Sequence, residues 1–101
     1  MIKLLQRIFK ALTQVNPNLE QDVDVILNAI GGLENLLEAG ACATRLRLKL
    51  KSTRHVDRHA LKQHGAYGIV YLDTQHIQIV YGLKANRYSQ AIEQRLAKNV
   101  A

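Results

Sequence analysis

The sequence predicts an α+β domain, an antiparallel sheet with helices packed on one face and the opposite face exposed. Three observations carry this expectation. Apolar residues recur at helical spacing in two separated stretches, Leu19 to Ile30 and Ala85 to Leu96. Between them, Leu46, Leu48 and Leu50 alternate with Arg45, Arg47, Lys49 and Lys51, the period-two pattern of a half-buried strand. Two further β-rich runs, 68–73 and 76–82, are separated only by Thr74 and Gln75, as a tight hairpin would be. Helices interleaved with hairpins over short connections pack together on one sheet face.

Taken in order, residues 1–18 form an amphipathic leader, with Ile2, Leu5, Ile8, Phe9 and Leu12 at helical spacing among Lys3, Arg7 and Lys10. Such a stripe packs on the core or on another subunit; three cations are few for a membrane-surface helix. Asn16-Pro17-Asn18 breaks the pattern, and residues 19–101 make up the domain. Leu19, Val23, Ile26, Leu27 and Ile30 face the core from one helix, which Gly31-Gly32 stops. Leu33 to Ala39 has helix-favouring composition, so propensity alone predicts a short helix there. The arginine strand follows from Thr44, then a helix around 56–64 ended by Gly65, the two β runs, and a closing helix using Ala85, Tyr88, Ile92 and Leu96.

Composition narrows the function. At 101 residues the chain has room for one core. A 48% hydrophobic and 22% charged composition is that of a folded globular protein. No apolar run approaches the roughly 20 residues that span a bilayer, which makes a cytoplasmic location the expectation. The single cysteine excludes an internal disulfide and a cysteine-based zinc cluster. Residues 43–64 carry seven basic side chains against Asp57, a net +6 equal to that of the whole chain. Charge so concentrated implies an anionic partner.

Cys42 opens this basic block. A lone cysteine is most often a small buried apolar group. Here Arg45 and Arg47 share one strand face, and a turn at Ala43–Thr44 would bring both beside the sulfur. Guanidinium groups, the Thr44 hydroxyl and nearby backbone N–H groups would bind an oxyanion attached there. The plainer alternative is a solvated cationic strand face. A nucleic-acid interface would account for the charge but not for Cys42, and stacking aromatics are sparse, so no nucleic acid is expected. His55 and His59, four apart, would share a helical face, but no further ligand completes a metal site.

The segment Gly40-Ala41-Cys42-Ala43-Thr44-Arg45-Leu46-Arg47-Leu48 resembles the active-site region of the glucose-type enzyme IIB domain of the bacterial sugar phosphotransferase system. Ile26-Leu27-Asn28-Ala29-Ile30-Gly31-Gly32 with Glu34-Asn35 is similar to that family's helix, double glycine and entry to the first strand. Val56-Asp57, Ala60-Leu61-Lys62 and Gly65-Ala66-Tyr67-Gly68-Ile69-Val70 resemble its second helix and third strand. Ile77-Gln78-Ile79-Val80-Tyr81-Gly82 with Lys84 resembles the fourth strand and the turn beyond. The likeness covers about residues 19–97, in order.

The resemblance implies a four-stranded sheet whose first strand, 35–41, replaces the helix that propensity favours. It implies that Cys42 is the nucleophile, accepting a phosphoryl group from a phosphohistidine of enzyme IIA and passing it to sugar held by a separately encoded membrane enzyme IIC. Thr44, Arg45, Arg47 and Gln78 would line the phosphoryl site, with no metal or cofactor. Two positions depart from the family pattern: Gly40 stands where an aspartate is usual, and His76 where a glycine is common. The first favours an alternative, a regulatory phospho-acceptor that binds a protein partner according to its phosphorylation state.

Overall fold

The computed structural model describes residues 17–100; the apolar stripe of the leader lies outside them. Helix α1 (Pro17–Ala29) begins with a proline, whose missing N–H is no loss in a first turn, and has Glu20 near its positive end. Val23, Ile26, Leu27 and Ile30 are buried, the stripe that the spacing predicts. Gly31 and Gly32, at φ 99° and 87°, turn the chain, and Gly32 N–H caps the helix on the Leu27 carbonyl at 2.7 Å. A Cβ on Gly31 would stand 2.8 Å from that of His55. Glycine is required there twice over.

The helix favoured over 33–39 shrinks to one 3₁₀ turn, Leu33–Asn35, and strand β1 (Leu36–Cys42) follows. Tertiary bonds outweigh the local preference. Buried Asn35 donates its amide to the carbonyls of Ile30 (2.7 Å) and Ser52 (2.8 Å) and accepts from Ser52 N–H. It thereby ties the helix end to the far end of β2 (Arg45–Leu50), with which β1 pairs antiparallel.

After β2, Thr53–His55 makes a second 3₁₀ turn and Asp57 caps helix α2 (Arg58–His64), accepting from Ala60 N–H. The helix therefore starts two residues later than the sequence suggests. His55 precedes it and shares no helical face with His59.

Strands β3 (Gly68–Tyr71) and β4 (His76–Val80) form the second hairpin. Both are shorter than the β-rich runs. The connecting loop is four residues, 72–75, because Asp73 accepts from the Gln75 and His76 N–H groups at 2.8 Å each and curls it. At the other end, Tyr81 and Gly82 leave the ladder to bond the Thr44 carbonyl. A 3₁₀ turn then leads into helix α3 (Ala85–Val100).

The sheet is wholly antiparallel in the order β1-β2-β4-β3. Leu46, Leu48, Leu50, Ile69, Ile77 and Ile79 point from one face into the core, where Ile26, Ile30, Tyr88 and Ile92 meet them. Arg95 clamps α3 to α1 through Glu20 (2.7 Å) and Asp24. The expected architecture is the observed one.

Candidate functional site

The period-two pattern that buries the leucines of β2 places Arg45, Arg47 and Lys49 on the opposite, open face. Antiparallel partners point to the same side, so the ladder assembles this face in rows. Cys42 faces Arg45, which faces Val80. Gly40 faces Arg47, which faces Gln78. Glu38 faces Lys49, which faces His76. Cys42, Arg45, Arg47 and Gln78, four chain positions singled out in the sequence, thus lie on one open surface.

Cys42 is exposed, with a free thiol at the last position of β1. The adjoining turn is held tightly. Ala43 has φ 54°, the one positive φ of a non-glycine residue among the described residues. Thr44, whose side chain stands at the turn, has its carbonyl fixed by the N–H groups of Tyr81 (3.1 Å) and Gly82 (3.0 Å). The Arg45 guanidinium donates to Gln78 Oε1 at 2.8 Å, so a residue two strands from the thiol orients the planar cation on the strand next to it. A fixed fork of N–H donors beside an accessible sulfur is suited to gripping oxygens of an anion carried on that sulfur.

Two features escaped the sequence reading. Tyr81 and Tyr88 close a part-buried polar group with His64 and Asp22: His64 lies 3.0 Å from the Tyr81 hydroxyl and 2.8 Å from Asp22 Oδ1, and Tyr88 donates to Asp22 Oδ2 at 3.2 Å. Burial pushes the Tyr88 phenol up to about 12, with the Asp22 charge adding to it, and raises Tyr81 further for the same first reason. These partners are 17 to 66 residues apart in sequence, and no local pattern pairs them. The second feature is a cleft on the open face beside Gly40, reaching Glu38, Lys49 and His76. Alternation of β2 and the glycine were its only signals.

A small α+β domain with one open sheet face, an exposed thiol at a hairpin end and arginines in register beside it is the class defined so far. Its fold matches a solved structure, one domain of the PTS system IIabc component from Clostridium difficile, with a TM-score of 0.64 at 19% identity, covering 77% of this chain and 81% of that one. The family model for the phosphotransferase system EIIB matches residues 25–57, which span the end of α1, both strands of the first hairpin and Cys42. An N-acetylglucosamine-specific EIIB component of Streptomyces coelicolor is 38% identical over 68 residues, 67% of this chain and 87% of that protein. The chain belongs to the phosphotransferase-system EIIB family.

Larger relatives agree. The N-acetylglucosamine-specific EIICB component of Bacillus subtilis is 43% identical over 70 residues, 67% of this chain and 16% of that protein. The N-acetylglucosamine-specific EIICBA component of Escherichia coli is 34% identical over 89 residues, 84% of this chain and 14% of that protein. The chain thus spans less than a fifth of these two relatives. Among the described residues no helix is long and apolar enough to cross a membrane.

Proposed function

We propose that this domain is a phosphoryl carrier of a sugar phosphotransferase system, with Cys42 as the acceptor. In the first step the Cys42 thiolate attacks the phosphorus of a phosphohistidine on enzyme IIA; the P–S bond forms, the P–N bond breaks, and its electron pair returns to the imidazole. In the second, a sugar hydroxyl held by a membrane enzyme IIC attacks the same phosphorus, the P–S bond breaks, and sulfur leaves as thiolate while the hydroxyl proton is released. Arg45, Arg47, Thr44 and Gln78 bind the phosphoryl oxygens. A transferring phosphoryl group spreads charge over those oxygens, so positioning and electrostatic stabilisation are the protein's task.

The observation that carries this reading is the row Cys42–Arg45 on an open face, with Arg45 oriented by Gln78. The test is incubation with enzyme IIA and its phosphoryl-donating cascade, read by intact mass. Wild type should gain one phosphoryl group and Cys42→Ala none. Equal labelling of the variant removes Cys42 from the mechanism.

A second reading, regulatory binding to a partner protein according to phosphorylation state, is favoured by Gly40. A carboxylate at that position would face Arg47, and here none does. Both readings require phosphorylation of Cys42; sugar phosphorylation in a system reconstituted with enzyme IIC separates them.

A further inference from the structure

Arg47, Lys49 and Glu38 make no hydrogen bond or ion pair among the described residues. Arg45, by contrast, is engaged by Gln78, and Arg95 by two carboxylates. The three free side chains line one cleft of about 320 Å³ on the open sheet face. Gly40 lines the cleft without a side chain, and a Cβ there would meet nothing within 4 Å.

The lining is specific in what it offers. Arg47 and Lys49 are unpaired donors for an anionic group, at neighbouring outward positions of one strand. Gln78 has spent its oxygen on Arg45, so its NH₂ remains as the donor. His76 is fixed by Nδ1, 2.9 Å from both Asp73 oxygens, and its Nε2 has no hydrogen-bond partner among the described residues. The Asp73 carboxyl sits below its usual range, held first by Gln75 N–H and then by the His76 side chain, so it keeps that ring oriented. Glu38 is an acceptor only, repelling a bare anion and welcoming a hydroxyl. Leu72, 57% exposed, supplies an apolar wall. An anionic head, several hydroxyls and one C–H face satisfy this set together. The volume lies at the small end of ligand sites, about 300–1,000 Å³, which suits a single sugar ring.

We propose that this cleft binds a monosaccharide phosphate, in competition with the phosphoryl group on Cys42 because both draw on Arg47. The competition rests on the carrier function proposed above; the binding does not.

The test titrates the unphosphorylated protein with glucose 6-phosphate, followed by backbone amide NMR, with inorganic phosphate and free glucose as separate arms. Glucose 6-phosphate should shift the amides of Gly40, Arg47, Lys49 and Gln78 and saturate, with the other two arms weaker by at least about tenfold. Lys49→Ala, checked for an unchanged fold by the same spectrum, should weaken binding by about tenfold or more. No shifts at concentrations on the order of 10 mM overturn the site. Equal affinity for inorganic phosphate overturns the sugar assignment. Phosphorylated Cys42 should weaken the probe by about tenfold or more, and equal affinity of both forms overturns the sharing of Arg47. If Cys42 accepts no phosphoryl group, the carrier reading fails alone and the first arms still decide the binding.

Discussion

The carbonyl oxygen of Thr44 accepts a hydrogen bond from Tyr81 N–H at 3.1 Å, so the turn beyond Cys42 is anchored to the end of β4. The hydroxyl of the same tyrosine is held from the helix layer by His64, itself paired with Asp22. In the Nε2–H tautomer of His64, the ring donates to Asp22 Oδ1 and accepts a hydrogen bond from the Tyr81 hydroxyl at Nδ1. The helix layer thereby fixes the geometry of the open face through one residue.

His64→Phe should break this anchor. It leaves the hydroxyl of buried Tyr81 without its partner and takes one of two from the part-exposed Asp22 carboxylate, a loss of about 1–2 kcal/mol. Tyr81→Phe spares the His64–Asp22 pair and should cost less, about 1 kcal/mol. Denaturant unfolding measures both, and amide exchange at Tyr81 and Gly82 should quicken in each. Unchanged exchange would show that the hydroxyl does not support the turn.

The same group sets an alkaline limit on stability. Tyr88 ionises near 12 in the fold against about 10 unfolded, and Tyr81 is raised in the same direction. The neutral phenols are the favoured folded form, so their contribution is complete below about pH 10 and is lost as pH rises through 12. Tyrosinate absorbance should therefore develop in two stages, the later one together with loss of the fold. Complete ionisation of all tyrosines with the fold intact would contradict the burial argument.

Gln78→Leu and Arg45→Lys address the orientation of the cation beside Cys42. Both side chains stand on the open face, so stability should change by no more than about 0.5 kcal/mol. Phosphoryl acceptance from enzyme IIA should slow in each: leucine releases the guanidinium, and lysine replaces a planar fork by a point charge. A Gln78→Leu protein labelled at the wild-type rate would show that the 2.8 Å bond is incidental.

Legibility in the sequence followed the range of the interactions. Alternation in β2 placed Arg45 and Arg47 outward, because burial of Leu46 and Leu48 leaves no other choice. Helix α1 was equally plain from its stripe and its two glycines. Propensity failed over 33–39, where the bonds of Asn35 to Ser52, 17 residues on, and the pairing with β2 decide the outcome. It failed at the second hairpin too, where the Asp73 side chain makes a four-residue loop of what composition presents as two. Gln78 was found through resemblance alone. The polar group around His64 had no local signature, since its members are ordinary core and cap residues until the fold brings them together.

Gly31 offers a test of the packing between α1 and the turn before α2. Gly31→Ala should lose about 1–3 kcal/mol, from a strained φ of 99° and a Cβ contact of 2.8 Å to His55. Gly68→Ala, with nothing within 4 Å, is the control and should be near neutral. Equal effects would show that the close approach to His55 is relaxed cheaply.

Gly40→Asp probes the departure from the family pattern. The position is free of steric conflict, and its partner across the ladder is Arg47, which has no other partner among the described residues. A carboxylate there should pair with Arg47, adding about 0.2–1 kcal/mol to the hairpin. Its effect on chemistry has two opposing parts. The pair would fix Arg47 beside the phosphoryl group, while the added charge would repel that group. The aspartate usual in the family implies that orientation outweighs repulsion when sugar is the acceptor. Gly40→Asp should therefore keep the fold, accept phosphoryl from enzyme IIA, and transfer it faster to sugar with a compatible enzyme IIC. Steady-state sugar phosphorylation measures the transfer, with Cys42 labelling as the control. A variant that labels normally yet transfers no faster shows that Gly40 is not limiting. The regulatory reading, which leans on this glycine, then loses its support as well.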